Sequence, residues 1–287
     1  MGKGNFLLKS VTGNIGDINF YRSNGEQRIR ARVAAENPRT MAQQSQRARV
    51  AAVAAAYRAG RGVLADSLQP QSPLLSGYNE FMKAAMPTAP FITKDAADLG
   101  GSIPFPMMLA KGNLPQPYEY FSKSNDLLKY YFGPLDGVPS TNYKWGDISK
   151  ALIKYKPCVY KNGTRIHFVE MVWVAQLVAG VIVYQPNFHH EELYVDTTST
   201  GTPWTALTYW GLSMENNSMV VERDLDGEYL CSGIFISNYD DANGLMVSTC
   251  IGTLSDEADL IYQDYISEAA RIAAAESYGG DNARCVL

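Results

Sequence analysis

A chain of 287 residues with 46% hydrophobic and 19% charged side chains can bury a substantial core and suits about two domains, an ordinary globular composition. The net charge of −4 conceals an asymmetry: residues 1–62 hold 11 Lys+Arg against 3 Asp+Glu, and the other 225 hold 14 against 26. A basic N-terminal part on an acidic remainder suggests either contact with a polyanion or docking on an acidic surface of another copy or another protein, and both readings stay open.

In chain order, Phe6 to Val11 reads as a strand and Thr12-Gly13-Asn14 as a turn. Asn24-Gly25 suits a two-residue type I′ hairpin, whose turn positions both need positive φ. Counting outward from it sets Arg28, Arg30 and Arg32 opposite Tyr21, Asn19 and Asp17 on one face, and Ile29, Ala31 and Val33 opposite Phe20, Ile18 and Gly16 on the other. Residues 5–34 are thus expected to form a three-stranded meander that needs a packing partner. The nearest candidate is the following helix. Thr40 and Gln43 form a capping box for it, and it should run from Met41 to about Ala59 and stop at Gly60. Val50, Val53, Ala54 and Tyr57 would make its apolar side, while Arg47 and Arg58 align on another side.

Ser76 to Met82 opens a shorter helix closed by Pro87. The prolines and glycines of residues 87–118 then read as an extended connector with a strand or two. From Tyr118 to Thr253, short β-branched and aromatic runs between turn residues have the spacing of a sandwich or jelly roll. Within it, Asn162-Gly163 is expected to join strands Ile153–Tyr160 and Thr164–Trp173, and Asp226-Gly227 to join Met219–Arg223 to Glu228–Ser237. Phe168 to Tyr184 is the most apolar stretch. Glu170, Gln176 and Gly180 interrupt it and it is rich in Val, so it reads as buried strand and no membrane span is expected. A last helix should run from Asp256 to Ser277, capped by Ser255 and stopped at Gly279, with Ala258, Ile261, Tyr265, Ala269 and Ile272 as its apolar stripe. The expected fold class is α+β, with a basic module over 1–86, a connector over 87–118, a sandwich-like domain over 119–254 and a terminal helix and tail over 255–287.

Catalytic motifs are missing from this sequence: there is no Gly-x-Ser-x-Gly, no His-Glu-x-x-His and no phosphate-binding glycine loop, so the expectation is a protein that is not an enzyme and takes no cofactor. His189-His190-Glu191-Glu192 is the one cluster of metal-capable side chains. Neighbours on a strand or helix point different ways and His167 is the only other histidine, so a solvated polar loop without metal is expected. The acidic turns at 224–228 and 240–244 lack the spaced ligands of a calcium loop. Cys158, Cys231, Cys250 and Cys285 have no zinc or disulfide spacing and read as buried or incidental thiols. Phe6-Leu7-Leu8 is cut short by Lys9, too brief for a signal peptide, so a cytoplasmic site of synthesis and residence is expected.

The binding candidates are therefore Arg28, Arg30, Arg32, Arg47 and Arg58 with Tyr21, cations interleaved with an aromatic. They could dock on an acidic protein or hold nucleic acid. A ligand-binding β-domain would instead require a concave pocket with convergent polar groups.

Gly13-x-x-Gly16, Phe20-Tyr21-Arg22-x-x-Gly25, Ile29-Arg30, Asn37-Pro38-Arg39-Thr40-x-x-Gln43-x-x-x-Arg47 and Ser76-Gly77-Tyr78-Asn79-x-Phe81 together resemble, over about residues 1–85, an uncharacterised domain family of Bacteroidota and their phages. The family brings no assigned activity and no catalytic residues. Its phage members imply a virion structural component made in the bacterial host cytoplasm, whose partners are other virion proteins and copies of itself, without a membrane. The alternative is a nucleic-acid-binding protein that uses the basic N-terminal face.

Overall fold

The computed structural model describes residues 12–23, 26–31, 40–70, 74–124, 127–138, 143–202, 207–225, 227–240 and 244–279. The chain is α+β and divides into two compact units, the first ending at Thr40 and the second beginning at Met41.

The first unit is an antiparallel meander of β1 (Gly13–Ile15), β2 (Ile18–Ser23) and β3 (Glu26–Ala31). Its register sets Tyr21 opposite Arg28, Asn19 opposite Arg30, Phe20 opposite Ile29 and Ile18 opposite Ala31, as the count from Asn24-Gly25 requires. The first turn differs from expectation. Gly13 and Asn14 are strand residues paired with Phe20 and Asn19, and the chain reverses at Gly16-Asp17, where Gly16 takes φ +57°. Asp17 is therefore a turn residue. Phe6 to Val11, Asn24-Gly25, Arg32 and Val33 lie outside the described residues.

The second unit opens with four helices, α1 (Met41–Ala59), α2 (Arg61–Ser67), α3 (Gly77–Ala85) and α4 (Lys94–Asp98). The first helix has the predicted ends, but Gly60 turns the chain into α2 rather than ending the helical region. Ala52, Val53, Ala56 and Tyr57 are buried on α1, whereas Val50, expected on that side, is exposed. Arg49 binds α1 to the chain after α3: its guanidinium donates to the carbonyls of Met86 (3.0 Å) and Ala89 (2.6 Å) and lies over the Phe91 ring.

Three short strands, β4 (Met108–Ala110), β5 (Tyr120–Ser124) and β6 (Leu127–Phe132), lead to α5 (Trp145–Tyr155). The long hairpin of β7 (Arg165–Val178) and β8 (Val181–Tyr194) follows, and then β9 (Gly211–Glu215), β10 (Ser218–Asp224), β11 (Leu230–Asp240), β12 (Gly244–Val247), β13 (Cys250–Ile251) and β14 (Thr253–Leu254). The chain closes with α6 (Asp256–Ile266) and α7 (Glu268–Ser277).

Two antiparallel sheets carry this unit, an outer one ordered β5-β6-β10-β9 and a central one ordered β12-β11-β7-β8, with β14 also on β11. Period-two alternation gives the central sheet two apolar faces. Ile166, Phe168, Ile234 and Ile236 pack with Leu128, Tyr130, Phe132, Met219 and Val221 of the outer sheet, together with Ile148 and Leu152 of α5. Val169, Met171, Trp173, Cys231 and Phe235 face the helical layer, meeting Val53, Leu64, Phe81, Ala258 and Tyr262. The sandwich-like reading of residues 119–254 corresponds to these two sheets; α1, α2, α3 and α6 cover the other face of the central sheet, while α5 packs with the outer sheet.

Several expectations are corrected. Residues 87–118 hold an expected strand, β4, but they are core rather than connector: Ile92, Ile103, Phe105, Met107 and Leu109 are fully buried, and the unexpected α4 lies within them. Ile153–Tyr160 is not a strand, since α5 reaches Tyr155, so Asn162-Gly163 precedes β7 without making a hairpin. The strands β10 and β11 belong to different sheets, so they do not form the expected hairpin; Asp226 lies outside the described residues. The terminal helix breaks at Ser267, which caps α7 by accepting from Ala270 N–H (3.1 Å). The break shifts the helical phase: Ala258 and Tyr262 are buried but Ala269 and Ile272 are exposed. Among the described residues no helix is long and apolar enough to cross a membrane.

Candidate functional site

The predicted basic residues belong to different units. In the first unit, alternation brings Tyr21, Arg28 and Arg30 to one face of the meander, with the Arg30 guanidinium 5.2 Å from the Tyr21 ring centre. The opposite face carries Ile15, Ile18 and Ile29, which are 58%, 44% and 53% exposed, around a buried Phe20. Arg47 and Arg58 are exposed on α1 of the second unit, where Arg58 and Arg61 flank an open groove of about 910 Å³ floored by Tyr57 and Tyr78. Arg32 lies outside the described residues.

A second arrangement was not expected. Residues 189–192 are not a solvated loop but part of β8, held in register with β7. His167 faces Glu192 directly and His190 faces Val169, so His167, His190 and Glu192 share one face of the sheet while His189 and Glu191 take the other. His167 Nδ1 is 2.9 Å from His190 Nε2 and 3.8 Å from Glu192 Oε2, and each of the three residues offers a donor atom within 4.8 Å of the others. On its far side, His167 Nε2 is 2.7 Å from Ser237 Oγ of β11. The His167 ring is stacked between Phe235 at 4.5 Å and His190 at 5.2 Å. Burial is the main reason that the His167 pKa falls to about 4; the neighbouring His190 and Arg165 lower it further and Glu192 opposes them. Burial likewise lowers His190, against the pull of Glu192 and Glu191. Two neutral imidazoles and a carboxylate therefore border a cavity of about 170 Å³, whose far wall includes Gly62, Val63 and Asp66 of α2.

The other face holds a charged network in the interior of the sandwich. Glu170 Oε2 accepts from Arg223 Nε (2.7 Å), and Glu170 Oε1 lies 2.9 Å from His189 Nδ1. Arg223 also donates to Glu228 (2.6 Å), and His189 stacks on Tyr209 at 4.5 Å. Burial lowers the Arg223 pKa, but the hydrogen bonds and charges of Glu170 and Glu228 outweigh it and hold the guanidinium above its usual value. This network ties β7, β8 and β10 together, with Glu170 and Arg223 both buried.

The sequence does contain the signal for the histidine cluster. The β7–β8 hairpin turns at Ala179-Gly180, with φ +51° and +83°, and counting outward from that pair places His167 opposite Glu192 and Glu170 opposite His189. Gly180 read instead as an interruption in an apolar run. Comparison with known proteins gives no relative to set beside this geometry: no protein-family model matches the chain, and neither a curated protein nor a solved structure matches it.

Proposed function

We propose that this chain is a non-enzymatic structural protein of a bacteriophage virion, a subunit of a head, connector or tail that docks on copies of itself or on other virion proteins through its N-terminal meander. The observation that carries the reading is the two-faced small sheet, with Arg28, Arg30 and Tyr21 on one side and the exposed Ile15, Ile18 and Ile29 on the other. A sheet of three short strands is a weak structure alone, and exposed isoleucines beside a cationic face suit a surface completed by a partner. The acidic remainder of the chain suits charge-complementary association between copies. The phage assignment itself comes from the resemblance of residues 1–85.

The test is light scattering on the full-length protein at low and high salt, followed by electron microscopy. A discrete high-order oligomer that Arg28→Glu/Arg30→Glu/Arg32→Glu disrupts is the expected result. An unchanged assembly in that variant removes the docking role. The Arg30–Tyr21 stack also favours a second reading, nucleic-acid binding on the same face, which requires an affinity that falls steeply as salt rises.

A further inference from the structure

We propose that His167, His190 and Glu192 form a binding site for one divalent transition-metal ion, zinc being the best match, with an open coordination position facing the cavity beneath α2. The inference is independent of the docking reading, since it concerns only the second unit.

Four observations support it. The first is the donor set: two imidazoles and one carboxylate are a known zinc combination, and imidazole selects zinc, cobalt, nickel or copper over the hard cations magnesium and calcium. The second is spacing. Tetrahedral bonds of about 2.0–2.1 Å separate donor atoms by about 3.3 Å. Two of the three separations, 2.9 Å between the imidazoles and 3.8 Å from His167 to Glu192, lie on either side of that value, and all three donor atoms lie within 4.8 Å of one another.

The third is support from behind the ligands. His167 is buried with Nε2 against the buried Ser237 hydroxyl, and a proton on Nε2 donated to that oxygen leaves the Nδ1 lone pair facing His190 and Glu192. Stacking on Phe235 fixes the ring plane. The donors stand on two paired strands of the central sheet, a rigid platform.

The fourth is access. The cavity of about 170 Å³ has room for several waters at roughly 30 Å³ each, so three protein ligands can be completed by solvent or by a small anion. Asp66 on the α2 wall and Arg165 of β7 both line that cavity, so it carries charge of both signs.

The experiment uses the full-length, tag-free chain carrying Cys158→Ser and Cys285→Ser, so that reactive thiols do not bind the probe. After treatment with chelator, Co²⁺ is titrated while visible absorption is recorded, and Zn²⁺ is titrated by calorimetry. The expected result is one equivalent per chain, a cobalt ligand-field spectrum of low coordination number that Zn²⁺ abolishes, and no comparable binding of Mg²⁺ or Ca²⁺. His190→Ala and Glu192→Gln, both at partly exposed positions, should each weaken Zn²⁺ binding by about a hundredfold or more with circular dichroism unchanged. If His190→Ala does not fold, Glu192→Gln decides alone. Absence of the cobalt spectrum, or zinc binding that Glu192→Gln leaves intact, overturns the assignment.

Discussion

Glu170 on β7 accepts a 2.7 Å hydrogen bond from Arg223 on β10, so a single ion pair joins the central sheet to the outer sheet inside the apolar layer between them. The Glu170 side chain has no exposure and that of Arg223 only 8%. Such a pair need not stabilise more than apolar residues of the same shape would, but it punishes the loss of one partner, because the other charge is then stranded out of water. Glu170→Ala should therefore cost about 3–5 kcal/mol in urea unfolding. Because the double variant Glu170→Ala/Arg223→Ala strands neither charge, it should lose clearly less than the sum of the two single losses, even though Arg223 keeps Glu228 when Glu170 alone is removed. Additive losses would show that the pair does not act as a unit.

Ser255 does more than cap a helix. Its Oγ accepts from Ala258 N–H (3.3 Å) at the start of α6, also accepts from Leu230 N–H (3.2 Å), and donates to the Glu228 carbonyl (2.6 Å), all in a fully buried position. An ordinary cap is worth about 1 kcal/mol. Ser255→Ala also strands two backbone groups at the start of β11, so its cost should reach about 2–3 kcal/mol. A loss confined to about 1 kcal/mol would mean that water replaces the hydroxyl there.

What was legible in the sequence was what a few neighbouring residues decide. Turn chemistry at Asn24-Gly25 placed β2 and β3 in register, and Thr40, Gly60 and Ser255 marked the ends of α1 and the start of α6. Residues 87–118 read as a connector because Pro and Gly content describes local chain stiffness, whereas Phe105, Met107 and Leu109 are ordered by burial against β7 and β11. Around Ile153, the β-branched and aromatic residues concealed a helical pattern in which Ile148, Ala151 and Leu152 face the core while Lys150 is exposed. The histidine site needed a long-range register. Its donors are separated by 23 and 25 positions in sequence and meet only because Ala179-Gly180 is a turn.

The cysteines divide by environment. Burial pushes the thiols of Cys231 and Cys250 up to about 12, so neither supplies thiolate at neutral pH, while Cys158 is exposed. In a Cys285→Ser background at pH 8, a disulfide reagent should modify one thiol rapidly, and Cys158→Ser should remove that reaction. Chemical denaturation should release two more. The raised values mean that both thiols stay neutral in the folded chain at pH 8 and that this contribution to stability is lost as the pH rises toward 12. Rapid modification of three thiols in the native protein would contradict this packing.

Gly77 sets helix propensity against packing. It is the first residue of α3, and a Cβ there would lie 2.8 Å from the Ala65 carbonyl oxygen and 3.2 Å from those of Leu64 and Leu68. All three neighbours are backbone atoms at the end of α2, so no side-chain rotation relieves the contact and the two helices must separate. Alanine is the better helix former, by at most about 1 kcal/mol in a helix interior, and this on its own would make Gly77→Ala stabilising. Overpacking against fixed atoms costs about 1–3 kcal/mol, and moving α3 also disturbs the buried Phe81 and the Glu80–Lys111 ion pair at 2.6 Å. Packing should win: Gly77→Ala should lower the urea midpoint by the equivalent of about 1–2 kcal/mol, with the slope unchanged. A midpoint that rises instead would show that α2 and α3 do not approach this closely in solution.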